Sequence, residues 1–183
     1  MQVSEQGVQE KGRRRHHVIP RSLILVTSTN PASGEEEVLL LKGAPTKRLW
    51  ANQYNGLGGH IEAHEDVHEA ALRELHEETG LTAVSLALRG VVHIDTGQNA
   101  DGGPNPGVMM FVFCGGAESR LVKTSAEGTP EWIPIAQLAA YPLVDDLYDL
   151  IPLALADGPV LFGHYSPQLD GSMQYRFSAP CTV

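Results

Sequence analysis

The stretch Gly58-Gly-His-Ile-Glu-Ala-His-Glu-Asp-Val-His-Glu-Ala-Ala-Leu-Arg-Glu-Leu-His-Glu-Glu-Thr-Gly-Leu81 runs a glycine loop directly into a carboxylate-rich helical pattern. Asp66 stands at the N-cap with Glu69 three residues on, and Gly80 closes the pattern, so the sequence predicts a helix between them. Glu69, Glu74, Glu77 and Glu78 all lie on it. At about 100° per residue, Glu74 and Glu78 project with Val67 and Ala71, inside an apolar arc completed by Ala70 and Leu75. Glu77 lies at the edge of that arc, and Glu69, Arg73 and His76 fill the outer sector. Several ionised carboxylates cannot be buried together without cations, and Arg73 alone carries too little charge. Hard oxygen ligands at i, i+3 and i+4 suit Mg²⁺ or Mn²⁺. A structural ion-pair network is the other reading of the same geometry.

Outward from the helix, Val18–Thr27 and Glu37–Lys42 are rich in Val, Ile and Leu and flank the turn-forming Asn30-Pro-Ala-Ser-Gly34. They read as a strand pair. Val84–Ile94 and Val108–Cys114 read as two more strands, joined by a glycine- and proline-rich insert at 97–107 that is either an idle linker or a substrate loop. Glu131–Ile135 is a short extended piece and Ala136–Ala140 a helical turn. Val144–Ala156 reads as a second helix that Pro152 kinks or interrupts. Val160–Tyr165 and Met173–Phe177 close a final hairpin. Without regular βαβ alternation, the expected fold is α/β of the α+β kind, a mixed sheet with helices packed on it.

With 183 residues, 42% of them apolar, the chain is sized for one globular domain, expected over residues 17–183 after a disordered basic tail at 1–16 that carries Arg13-Arg14-Arg15. Thirteen Lys and Arg against 22 Asp and Glu leave a net charge of −9, which repels nucleic acid, so an anionic substrate needs a cation beside it. No apolar run approaches the roughly 20 residues of a membrane-spanning helix. Two cysteines, Cys114 and Cys181, are too few for a disulfide framework, and a cytoplasmic location is expected.

Gly59, five residues, Glu65, seven residues, and Arg73-Glu74-Leu75-His76-Glu77-Glu78-Thr79-Gly80-Leu81 together resemble a complete Nudix box. The resemblance implies an α/β/α sandwich around a mixed sheet. It also implies hydrolysis of a nucleoside diphosphate linked to a further group, with Mg²⁺ or Mn²⁺. Carried over by position, Glu77 and Glu78 ligate metal, and Glu74 ligates metal or helps deprotonate water. The Gly59 carbonyl completes the shell, and Glu65 with Arg73 holds loop and helix together. The metal would bridge phosphate oxygens and acidify the attacking water, and a carboxylate would take the proton.

His64-Glu65-Asp66-Val67-His68 also satisfies the zinc-protease pattern H-E-x-x-H, but that chemistry needs both histidines on one helical face, and His64 precedes the expected N-cap.

Outside the box, Glu127-Gly-Thr-Pro-Glu-Trp132 resembles the glutamate loop of oxidised-purine nucleoside triphosphatases in the same family. That likeness makes Glu127 a candidate ligand or base, with Glu131 its rival. Asn55-Gly-Leu-Gly-Gly59 and Pro142-Leu-Val-Asp-Asp146 resemble the stretches that read the purine, implying Asn55, Asp145 and Asp146 as base contacts. Leu143 or Val144 stands where such relatives carry an aromatic residue. Helix capping by Asp145 is the alternative use of the pair. Trp50, Tyr54 and Trp132 are available to stack on a base or to pack in the core. The expected activity is nucleoside triphosphate pyrophosphohydrolysis, as with 8-oxo-dGTP, by a monomer or homodimer. A nucleoside diphosphate sugar or ADP-ribose hydrolase and a non-catalytic nucleotide sensor are the alternatives, and the intact carboxylates favour catalysis.

Overall fold

Leu23-Ile-Leu-Val26 has no polar face to offer water, and in the computed structural model of the chain neither of its faces meets any. The structure describes residues 16–82, 84–100 and 102–178. In order these form β1 (Val18–Thr29), β2 (Glu36–Gly43), β3 (Tyr54–Asn55), α1 (Val67–Thr79), β4 (Val84–Ile94), β5 (Gly107–Ala117), β6 (Gly128–Pro134), a 3₁₀ helix (Ile135–Ala140), α2 (Leu147–Leu155), β7 (Leu161–Pro167) and β8 (Met173–Ser178). Among the described residues, all eight strands belong to one sheet of order β3-β2-β1-β5-β4-β7-β8, with β6 on the outer side of β2. β1 runs parallel to β5 and β4 parallel to β7, and the other ladders are antiparallel. The mixed sheet matches the expected α/β class.

Alternation along the central strands sorts the core into two layers. Ile24, Val26, Leu39 and Leu41 pack with Ala71 and Leu75 of α1 on one face. Leu23, Leu25, Val38 and Leu40 pack with Leu147, Leu150 and Ile151 of α2 on the other. The strand pairs and the final hairpin form as expected, with ends shifted by a few residues. The second helix is shorter than the expected Val144–Ala156 and carries Pro152 inside it. Its N-cap is Asp146, which makes no side-chain cap hydrogen bond, so the capping role considered for Asp145 is not the one taken.

One irregularity positions the site. β1 and β2 pair only from Val26↔Leu39 to Thr29↔Glu36. Upstream they splay apart and the chain from Tyr54 to His60 fills the gap. Leu41 and Lys42 pair with Asn55 and Tyr54, while Ile24 bridges Leu57 and Arg21 bridges His60. The glycine loop is thereby hydrogen-bonded to β1 through Ile24 N–H to Leu57 O at 2.8 Å and Ser22 N–H to Gly59 O at 2.9 Å.

The 97–107 insert folds back on itself, with Asn99 N–H donating to Gly103 O at 2.8 Å and Thr96 Oγ1 to Pro106 O at 2.9 Å. Residues 1–15 of the basic tail and Cys181 lie outside the described residues, whereas His16 is described and its Nε2 lies 2.8 Å from Nε2 of His93. Among the described residues no helix is long and apolar enough to cross a membrane.

Candidate active site

Helix α1 starts with the expected capping box. Asp66 accepts from His68 N–H and Glu69 N–H, both at 2.8 Å, and Glu69 accepts from Asp66 N–H at 3.0 Å. Gly80 ends the helix in the left-handed conformation. With both ends fixed, the rotation of the helix is fixed, and Glu78 falls against the glycine loop at 6% exposure. Its Oε2 accepts the Gly58 N–H at 2.8 Å. Burial, above all, pushes its carboxyl up to about 7, and the nearby Glu74 and Glu127 add to the shift.

The two glycines answer a close approach on each side. A Cβ on Gly59 would lie 2.4 Å from Glu74 Oε1, and one on Gly58, whose φ is +120°, would lie 2.5 Å from the Ser22 carbonyl. The missing side chains leave a cradle for the Glu74 carboxylate directly against the loop backbone. The Gly59 carbonyl accepts one hydrogen bond, from Ser22, and a carbonyl has a second lone pair to give a cation.

Arg73 does not occupy the outer sector where helix geometry alone puts it. It folds over the loop and uses all five of its donors. Nε and Nη2 grip Glu65 at 3.0 and 2.7 Å, Nη1 reaches Glu74 at 3.0 Å and Glu77 at 3.2 Å, and Nη2 also donates to the His60 carbonyl at 3.0 Å. The Arg73 hydrogen bonds hold the Glu65 carboxyl down at about 2. Glu65 is thus a fixed anion, and Arg73 aims Glu74 and Glu77 toward the loop.

Glu74, Glu77, Glu78 and Glu127 line one cavity of about 660 Å³, together with Asn55, Gly58 and Gly59. Glu74 and Glu78 are covered, while the Glu77 side chain is 59% exposed, at the edge of the arc as expected. Glu127 arrives from the loop before β6 and pairs with Lys47 at 2.6 Å. Its rival Glu131 lies elsewhere, accepting from the Tyr54 hydroxyl at 2.7 Å. Among the described residues no three carboxylate, imidazole or thiol groups are already drawn together at ligating distance, because Glu74 and Glu77 are turned to Arg73 and Glu127 to Lys47. The donor set is nevertheless all oxygen, the chemistry that suits a hard divalent cation.

Asn55 lines the cavity, but Asp145 and Asp146 do not. They follow a segment tied to β3 by Tyr54 N–H to Pro142 O and Val144 N–H to Tyr54 O, both 2.9 Å. Asp145 is exposed, while Asp146 accepts from the Tyr165 hydroxyl at 3.1 Å, and burial pushes its carboxyl up to about 6. Of the three aromatics considered for stacking, Tyr54 is core and Trp132 packs under the Arg120 guanidinium at 4.5 Å. Trp50 alone of the three lines the cavity, 44% exposed and with a left-handed φ of +59°. Sequence reasoning missed Arg21, Lys47 and Gln53, which also line it. For Arg21 a signal existed, a charged residue at the head of an apolar strand; for Lys47 and Gln53 there was none. The H-E-x-x-H histidines do not share a face, since His64 precedes the helix and the His68 ring packs against Phe113 at 5.8 Å.

This glycine loop, capped helix and carboxylate cluster coincide with a family match over residues 21–154, to the NUDIX domain. The chain belongs to the NUDIX domain family. It is a Nudix hydrolase acting on phosphoric anhydride bonds. Its fold is similar to that of a MutT protein from Bacillus halodurans, at 23% identity and TM-score 0.70, covering 87% of this chain and 97% of that one. It is similar also to the NUDIX domain of Shewanella oneidensis NrtR complexed with ADP ribose, at 17% identity and TM-score 0.64, covering 84% and 97%. A Caenorhabditis elegans Ap4A hydrolase matches at 18% identity and TM-score 0.54, covering 74% and 93%. Nudix hydrolases generally use divalent metals, and the oxygen donors here fit one.

Proposed function

We propose that this Nudix hydrolase is a Mg²⁺- or Mn²⁺-dependent nucleoside triphosphate pyrophosphohydrolase of the cytoplasm. It takes purine nucleotides, oxidised forms such as 8-oxo-dGTP among them, to the monophosphate and pyrophosphate. The observation that carries the reading is the convergence of Glu74, Glu77, Glu78 and Glu127 on the Gly58–Gly59 loop in one cavity of a chain with net charge −9. Glu77, Glu78 and the Gly59 carbonyl would hold the cation, with Glu74 and Glu127 as further candidate ligands. Bound there, a divalent cation supplies Lewis-acid polarisation of a phosphoryl oxygen and a more acidic water.

The chain's own residues do the rest. Glu74 or Glu127 takes the proton of a water whose oxygen bonds to phosphorus as the anhydride P–O bond breaks and pyrophosphate leaves. Arg73, through its hydrogen bonds to Glu74 and Glu77, holds both carboxylates beside the glycine loop before the cation arrives. Trp50 offers the base an exposed aromatic face and Asn55 a hydrogen-bonding edge. Asp145 and Asp146 do not line the cavity, and their role at the far edge of the purine rests on the resemblance of Pro142–Asp146 to a purine-reading loop; the Asp146 carboxyl, raised to about 6, is eased toward sharing a proton there.

The test is product analysis on a panel of 8-oxo-dGTP, dGTP, ADP-ribose and Ap4A with Mg²⁺. Pyrophosphate release with 8-oxo-dGTP preferred is the expected result, and turnover of ADP-ribose or Ap4A alone would overturn the reading. Asp145→Ala should flatten the preference among purines, and an unchanged preference removes the aspartates from base reading.

A further inference from the structure

The cavity holds cations that the helix carboxylates do not use. Arg73 has no spare donor. Arg21 is different: it lines the same cavity from β1, half-buried, and its guanidinium makes no hydrogen bond or ion pair with any described residue. A guanidinium is always charged and offers five donors in a planar fork that matches phosphate oxygens. Lys47 enters from the loop between β2 and β3, and its ion pair is with Glu127. Both partners are partly exposed, and such pairs are weak and easily exchanged. Arg21 is thus unpaired among the described residues and Lys47 has only an exchangeable partner, which is what a polyanion carried on metal would require.

We propose that Arg21 and Lys47 form the subsite for the outer phosphates of the substrate, the part that leaves as pyrophosphate. This rests on the pyrophosphohydrolase reading above. Arg21 is the standing anchor, with donors ready. Lys47 joins when Glu127 lets it go. Since Lys47 and Glu127 satisfy each other at rest, a cation that draws Glu127 frees Lys47 for phosphate, and an anion that takes Lys47 frees Glu127 for the cation. Metal and phosphate tail thus bind with positive coupling, and the coupling is reciprocal.

The probe is inorganic pyrophosphate, titrated calorimetrically into the full chain with and without Mn²⁺. Arg21→Gln should weaken pyrophosphate binding by about tenfold or more, since it removes charge-assisted hydrogen bonds, and leave nucleoside monophosphate affinity within about twofold. Arg21→Lys should recover only part of the loss. Lys47→Gln should reduce the factor by which Mn²⁺ tightens pyrophosphate. Unaltered thermal melting shows that the variants fold. Pyrophosphate affinity within about twofold of the parent in Arg21→Gln, or no pyrophosphate binding by the parent chain, overturns the subsite. Loss of pyrophosphate affinity in Arg21→Gln, with no nucleoside triphosphate hydrolysed by the parent, supports the anion subsite while overturning the activity it was argued from.

Discussion

Helices α1 and α2 pack on opposite faces of one sheet and bury different chemistry. α2 buries Leu147, Leu150, Ile151 and Ala154, and the hydrophobic effect accounts for its place. α1 buries Ala70, Ala71 and Leu75 as well, but also Glu78, with the Glu74 carboxylate pressed to the backbone of Gly59. Desolvating a carboxylate works against folding, and Glu78 answers by holding its proton to about 7. The face that costs the fold stability is the face that carries the cavity, as expected where groups are kept for function rather than for packing.

Substitutions on the two helices should therefore act in opposite senses. Glu78→Gln keeps an acceptor for the Gly58 N–H and removes the ionised form; turnover should fall by about 10³-fold, or about 4 kcal/mol of barrier. In metal-free denaturant titration at neutral pH the same variant should be more stable than the parent. Steady-state turnover near the parent value would remove Glu78 from the machinery. Ile151→Ala should do the reverse, costing about 3 kcal/mol of unfolding free energy while kcat per folded molecule stays unchanged.

A subtler contrast lies in pH. Glu78 and Asp146 both have raised carboxyls, so the folded state binds more protons than the unfolded one between their ordinary and shifted values. Stability is then greatest below the ordinary values and declines as pH rises through about 6 for Asp146 and about 7 for Glu78. The Glu78 share is up to about 3 kcal/mol. Mn²⁺ should cancel that share and leave the Asp146 share in place, as thermal melts across the range would reveal. Smallest is Arg73→Lys, which keeps one charge but loses the fork on Glu65. Metal affinity should drop about tenfold, with little change in melting temperature.

The local elements of this molecule were legible in its sequence. Asp66, Glu69 and Gly80 signal both ends of α1 within one segment, and the apolar runs of β1, β2, β4 and β5 need only alternation and turns to be read. The box spacing carried the inward carboxylates and the Glu65–Arg73 link. What escaped depends on partners distant in the chain. β3 is two residues long and exists because β1 and β2 splay, a fact of sheet geometry rather than of Tyr54 or Asn55. Asp146 turns to Tyr165 on β7, and Lys47 meets Glu127 across two loops, contacts that no local pattern announces.

The splay of β1 from β2 has a consequence for how the enzyme would fail on heating. Because the loop at Gly59 is stitched to a strand buried on both sides, it has no independent way to loosen before the sheet opens. Amide protons at Leu57 and Ser22 should exchange only with global unfolding, and thermal loss of turnover should coincide with the melting of the whole molecule.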